Sequence, residues 1–213
     1  MTLAKFAAAT LSAAALITLT LSLAEIGVAE DAKPEFVGDK TCQKCHFQQH
    51  KSWKKTGMAK AMKTLAPTLE ADDKALFDKK TVAKLDPAKD YTTDEKCLAC
   101  HTTGYGLPGG YPKDPKKDEA AAKLATLMGS VSCESCHGPG SLYVKHKTAE
   151  VEKNKDVKFT FEELCKIGLV KPDEAVCAKC HNDQAPTKPA EPFKFEDAKA
   201  KVHDHPKAKE ATK

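Results

Sequence analysis

Apolar and polar positions are distributed unevenly along this chain. One continuous apolar run, residues 6–23, stands behind Lys5 and ahead of small residues that lead to Ala24 and Ala29. A positive start, an apolar stretch and a small-residue end form the pattern of an export signal. The reading is a signal peptide over 1–29, cleaved near Ala24 or Ala29, and a mature periplasmic domain over 30–213. The competing reading is a retained anchor, because the run approaches the length that spans a bilayer. No later stretch is apolar enough to cross a membrane.

The remaining pattern predicts helices and loops. Residues 42–65 favour helix with a break at Thr56-Gly57, and 71–85 favour a second helix ended by Asp86-Pro87. The Gly- and Pro-dense stretch 102–115 is loop. Residues 116–128 form a strong helix stopped by Gly129. Thr160 and Glu163 make a capping box for a short helix ending at Gly168. Pro172 and Asp173 suit the first turn of the next helix. Residues 185–192 read as a linker, and a last helix over 195–205 stops at Pro206. No segment is a convincing strand. The expected fold is mostly α with little or no sheet, one domain with a Lys-rich C-terminal tail.

Composition complicates this picture. Aromatics are 6% and charged residues 30% of the chain, and much of the apolar content sits in the first segment, so the exported part is poor in core material. It nevertheless takes nine cysteines into an oxidising compartment, where thiols ordinarily become disulfides. The net charge is +4 and every basic residue is lysine. Lysine is a hydrated point charge without arginine's bidentate fork, which argues against tight phosphate or nucleic-acid readout. Lysines spread over a surface suit weak, salt-sensitive docking to an acidic partner.

The cysteines explain the missing core. "CQKCH" begins at Cys42, "CLACH" at Cys97, "CESCH" at Cys133 and "CAKCH" at Cys177. C-x-x-C-H is the attachment pattern of a c-type haem. Two thiols on one turn add to the vinyl groups at one porphyrin edge, and the next histidine lies under the iron. A zinc ribbon gives no reason for histidine after every pair, and a thioredoxin-type site occurs once beside a βαβ unit. The assignment is four covalently attached c-type haems. Cys42, Cys45 and His46 hold the first, Cys97, Cys100 and His101 the second, Cys133, Cys136 and His137 the third, and Cys177, Cys180 and His181 the fourth. The haem cluster then forms the core of a compact multihaem cytochrome c. Gly138 and Gly140 allow close approach, and Pro139 stiffens the turn. The ninth cysteine, Cys165, takes a buried helix position as a small hydrophobe, or else forms an intermolecular disulfide.

About 46 residues serve each haem once 1–29 are removed. At ordinary packing density each ring must touch a neighbour, which implies an electron carrier. Four irons ask for sixth ligands, and imidazole suits iron. His146 and His203 are the chosen candidates, His203 on the last helix. His50 lies one turn after His46 and shares its face, while His205 faces solvent. Met58, Met62 and Met128 are further candidates, since methionine ligation raises a haem's potential. Candidates fall short of four, so at least one iron is expected to be five-coordinate.

The stretches "SWKKTGMAKAM" (52–62), "KLDPAKDYTTDEKCLACH" (84–101), "GYGLPGGY" (104–111) and "CESCHGPG" (133–140) resemble the tetrahaem cytochrome c-554 family of ammonia-oxidising bacteria. The resemblance runs from about residue 36 to 205 and fades across 141–176. It implies a mostly helical electron carrier that takes electrons from hydroxylamine oxidoreductase towards quinone or other cytochromes. It also implies three bis-histidine haems and a five-coordinate second haem. The family's distal histidines fall on Met58, His146 and, by a looser alignment, His203. Met58 departs from the family's histidine, so it ligates iron itself, leaves the site open or yields it to His50, and ligation by Met58 is the favoured reading. The main expectation is a diffusible electron-transfer protein without catalytic residues. The alternatives are reduction of nitric oxide at an open haem and a haem filament joined through His50 or His205.

Overall fold

The computed structural model describes residues 33–183, 185 and 193–204, all within one compact unit that begins at Lys33. The 1–29 segment with Ala24 and Ala29, most of the 185–192 linker, His205 and Pro206 lie outside the described residues. The elements in chain order are α1 (Asp39–Gln43), α2 (Phe47–Trp53), a 3₁₀ helix (Met58–Leu65), α3 (Lys74–Val82), α4 (Glu95–His101) and α5 (Glu119–Met128). There follow α6 (Cys133–His137), α7 (Ser141–Lys153), α8 (Phe161–Lys166), α9 (Glu174–Ala178) and α10 (Phe195–Lys199). No strand occurs among the described residues, so the fold is helical as expected.

Short polar residues start these helices. The carboxylates of Asp73, Asp94, Asp118 and Asp173 accept N–H groups of Leu76, Lys96, Ala121 and Val176 at the starts of α3, α4, α5 and α9. Each such cap stabilises a helix by about 1 kcal/mol. At α8 the capping box is complete, with Glu163 N–H donating to the Thr160 hydroxyl and Thr160 N–H donating to the Glu163 carboxylate.

Four expectations need correction. The helix over 42–65 has the expected break near Thr56-Gly57 and a second, unexpected one at Lys44–His46. The N–H groups of Cys45 and His46 both turn back onto the Cys42 carbonyl, at 3.2 and 2.9 Å, which closes a turn between α1 and α2. After α2, Lys55 and Thr56 bond three residues back to Ser52 and Trp53, and the chain continues in the tighter 3₁₀ form. The 71–85 helix ends early because Lys84 takes a left-handed φ of 57°. The last helix ends at Lys199 instead of 205. Beyond it the Asp204 N–H bonds the Ser52 hydroxyl at 2.7 Å instead of a helix carbonyl, so His203 lies off the helix, in a bend. The longest helix, α7, was not anticipated. Polar residues surround its axis and it buries no residue, so it lacks the apolar stripe that marks a helix in sequence.

A small apolar core does exist within the protein itself. Leu65, Tyr91, Leu98, Tyr111 and Met128 form one buried cluster, flanked by Phe36, Met62, Cys97 and Tyr105. Polar ties complete it. The Trp53 indole donates to the Val131 carbonyl at 3.0 Å. The Thr103 hydroxyl donates to the Ser130 carbonyl at 2.6 Å and accepts the Ser132 N–H at 2.9 Å. The Lys80 ammonium, itself buried, donates to the Ala66 carbonyl and to the Thr68 hydroxyl.

Glu134 is the most connected of these ties. Its buried carboxylate accepts the N–H groups of Val37 at 2.9 Å, Gly38 at 2.7 Å and Gly140 at 2.7 Å. It thereby joins the start of α1 to the turn after α6. The expected close approach at this turn is present. Gly138 sits at φ +81°, and a Cβ there would lie 2.9 Å from the Gly168 carbonyl oxygen. At Gly140 a Cβ would lie 3.0 Å from the Glu134 carboxylate.

Candidate functional site

The four C-x-x-C-H segments use two local geometries. Motifs two and three lie in α4 and α6. Motifs one and four straddle a helix end and close the same turn. His181 N–H returns to the Cys177 carbonyl at 2.9 Å, as His46 N–H does to Cys42. Either way, both thiols and the histidine fall within about one helical turn, the compactness that attachment to one ring edge requires.

Distant motifs are brought together. The Cys42 thiol lies against that of Cys133; this contact, then burial, pushes Cys42 up, and the same contact holds Cys133 down against the opposing effect of burial. Burial and the adjacent Cys100 push Cys180 up to about 12. Burial, then the nearby Cys177, raises Cys136. The first motif therefore meets the third, the second meets the fourth, and the third lies beside the fourth. None of the eight motif cysteines is tied up in a disulfide.

The histidines are prepared in ways that suit a metal ligand. His101 Nδ1 donates to the Ala61 carbonyl at 2.8 Å, with the Thr64 hydroxyl at 3.2 Å, leaving Nε2 as the coordinating atom. Metal-binding imidazoles are oriented by such carbonyl contacts. Burial lowers the pKa of His46, helped by Lys147 and by His137 and His203, and burial lowers that of His181. Both favour the neutral ring, the form that binds metal. The His137 and His203 rings face one another with centroids 6.3 Å apart and planes at 32°. The donor set thus fits haem. The Tyr105 hydroxyl, on a ring tilted against Tyr111 at the edge of the core cluster, is the one buried side-chain polar atom without a hydrogen-bond partner among the described residues.

The other sequence candidates are placed differently. His146 is exposed on α7 with its ring edge-on to Phe159 at 5.8 Å. Tyr143 of the same helix meets His46 instead, its hydroxyl 3.0 Å from Nε2. Met58 is half-buried at the start of the 3₁₀ helix, its carbonyl accepting the Val131 N–H at 3.1 Å. His50 is buried and committed to Asp39 at 2.7 Å, with Trp53 tilted against its ring. Burial there removes His50 from the surface, where a ligand for a neighbouring subunit would have to lie. Cys165 is exposed, contrary to the buried position expected, because α8 buries no residue. Sequence reasoning missed Tyr143, the Asp39–His50 pair, Glu134 and Phe193, which stacks on His181 at 4.5 Å. Only Glu134 had a local signal, a carboxylate placed inside a motif that folds into the interior.

Helices without a sheet among the described residues, gathering paired thiols and histidines around shared ground, define a compact multihaem c-type cytochrome. The family model described as "Cytochrome c554 and c-prime" matches residues 41–138, spanning the first three motifs. Cytochrome c-554 of Nitrosomonas europaea is 38% identical over 173 residues, covering 80% of this chain and 66% of the relative. The solved reduced state of cytochrome c554 from Nitrosomonas europaea matches with a TM-score of 0.62 at 34% identity, covering 82% of this chain and 87% of that one. This chain belongs to the cytochrome c-554 family. Covalently bound c-type haem follows from membership.

Proposed function

We propose that this chain is an exported, periplasmic electron-transfer protein that holds four c-type haems in contact and passes single electrons between redox proteins. The observation that carries this reading is the meeting of thiols from different motifs, Cys42 with Cys133 and Cys100 with Cys180. Attachment points that touch leave no room for insulating protein between the rings they hold. Export is supported by the 1–29 signal pattern.

When bound, each haem supplies an iron that alternates between ferric and ferrous states. The chain's residues set the surroundings of those irons. Cys42 and Cys45, Cys97 and Cys100, Cys133 and Cys136, and Cys177 and Cys180 form the thioethers, and His46, His101, His137 and His181 are the proximal ligands. His203 would be a second ligand for the iron that His137 holds, since the two rings face one another with centroids 6.3 Å apart. Met58 and His146 are the proposed distal ligands of two further haems, and the second haem is five-coordinate. The Ala61 carbonyl orients His101, and burial favours the neutral form of His46 and His181.

The test is the intact mass of the exported protein followed by a redox titration read by electron paramagnetic resonance. Four added macrocycles are expected, with one high-spin iron beside low-spin ones. Met58→Ala should alter a single component of the four. A colourless product, or one with fewer than four added macrocycles, ends the proposal, and four unaltered components remove Met58 from the ligand set.

A further inference from the structure

A cleft of about 600 Å³ opens beside the first motif, on residues that the haem assignment does not use. Its floor includes Trp53, Ala59 and Leu127, and its rim carries Lys40, Lys54, Lys60, Lys63 and Lys123. The five lysines come from four separate elements or their ends, α1, α2, the 3₁₀ helix and α5. All five are exposed, and among the described residues none has a side-chain ion pair or hydrogen bond. What sets these five apart is that they converge on one concavity; among the described residues Lys74, Lys153 and Lys199 show local carboxylate partners, Glu70 and Asp78, Glu150, and Glu196. The cleft's single acid, Asp39, is buried and bonded to His50, so its charge is turned inward. No motif cysteine or histidine lines the cleft, which separates it from the places where the rings attach. Yet Lys40 lies two residues before Cys42 on the same helix.

We propose that this lysine-rimmed cleft is the docking surface for the acidic face of a one-electron carrier protein. The inference rests on the electron-carrier reading above and adds where the partner sits and what it presents. Five uncompensated cations around a concavity focus a positive potential, which raises the encounter rate of an anionic partner and falls with salt. Lysines suit this use because they attract without fixing one bidentate geometry, as a short-lived encounter requires. The apolar floor at Trp53 and Leu127 gives the docked partner a patch from which water can be excluded. In each encounter one electron leaves the partner, which is oxidised, and enters this chain, which is reduced, and no bond forms or breaks.

The test uses the haem-loaded exported protein and reduced flavodoxin, an acidic one-electron carrier, as probe, with stopped-flow absorbance as the readout. The double variant K60E/K63E should lower the second-order rate at low salt by about 10-fold or more and flatten its dependence on ionic strength. Lys123→Glu alone should act in the same direction, and stands in if the double variant is poorly loaded. The control K155E/K158E carries the same charge change away from the cleft and should stay within about twofold of the parent. If the control slows as much as the cleft variants, or if the parent rate ignores salt, the docking proposal is overturned. It is also overturned if anionic phospholipid vesicles bind the protein through these lysines while reduction by flavodoxin is unaltered in the variants, since the occupant is then a membrane surface. Reduction by methyl viologen radical separates the two readings. A protein that takes no electrons from it refutes the carrier function, whereas one that does, with cleft variants behaving like the parent towards flavodoxin, refutes the docking site alone.

Discussion

Every helix up to α6 buries at least one residue against protein, whereas α7, α8, α9 and α10 bury none. The first region has Leu98, Met128 and Tyr111 in an apolar cluster and the Thr103 and Glu134 networks around it. The second has exposed Val151, Phe161 and Val170 and a capped but unburied α8. Both nevertheless supply thiols to the same cluster, since Cys180 stands beside Cys100. The contrast teaches that a chain can be built on two kinds of interior. One is made of its own side chains, and the other requires the macrocycles it attaches.

The largest effect should therefore come from blocking the fourth attachment. In C177A/C180A the mass should fall by one haem, and hydrogen exchange across 141–183 should lose protection while 95–140 keeps it. Equal loss in both regions would erase the distinction. Next comes Glu134→Ala. Removing the carboxylate strands three N–H groups, at about 1–3 kcal/mol each, so denaturant unfolding should show a loss of roughly 3 kcal/mol or more. Leu98→Ala should cost about 2–5 kcal/mol by opening a cavity in the protein core. Val151→Ala on exposed α7 should change stability by less than about 0.5 kcal/mol, and a comparable cost at both sites would contradict the comparison. The smallest measurable effect is Thr160→Ala, which removes one cap and should cost about 1 kcal/mol, read as fraying of α8 by hydrogen exchange with the rest unchanged.

Several features were legible before any coordinates. The Asp173 start and the Thr160–Glu163 box were readable because a cap needs only neighbours two or three residues away. The helical class and the Gly138 approach were equally local inferences. The 42–65 segment misled because helix propensity describes single residues, while the return of two N–H groups to the Cys42 carbonyl is set by how the motif folds. The α7 helix escaped because it has no apolar face to announce it. Cys165 looked buried by residue type, yet among the described residues α8 has no buried position and Cys165 is exposed.

By itself, the sequence determined the covalent chemistry, because two thiols and a histidine within five residues are bound to fall on one turn wherever the chain goes. Which partner each histidine finds was left to tertiary structure. His50 and His203 look equivalent as spare imidazoles, but one is buried on Asp39 and the other faces His137. Glu134 reaches Val37 across 97 residues, and Tyr143 reaches His46 across the same separation. Pairings at that distance depend on the sum of many weak packing choices, and no local pattern encodes them.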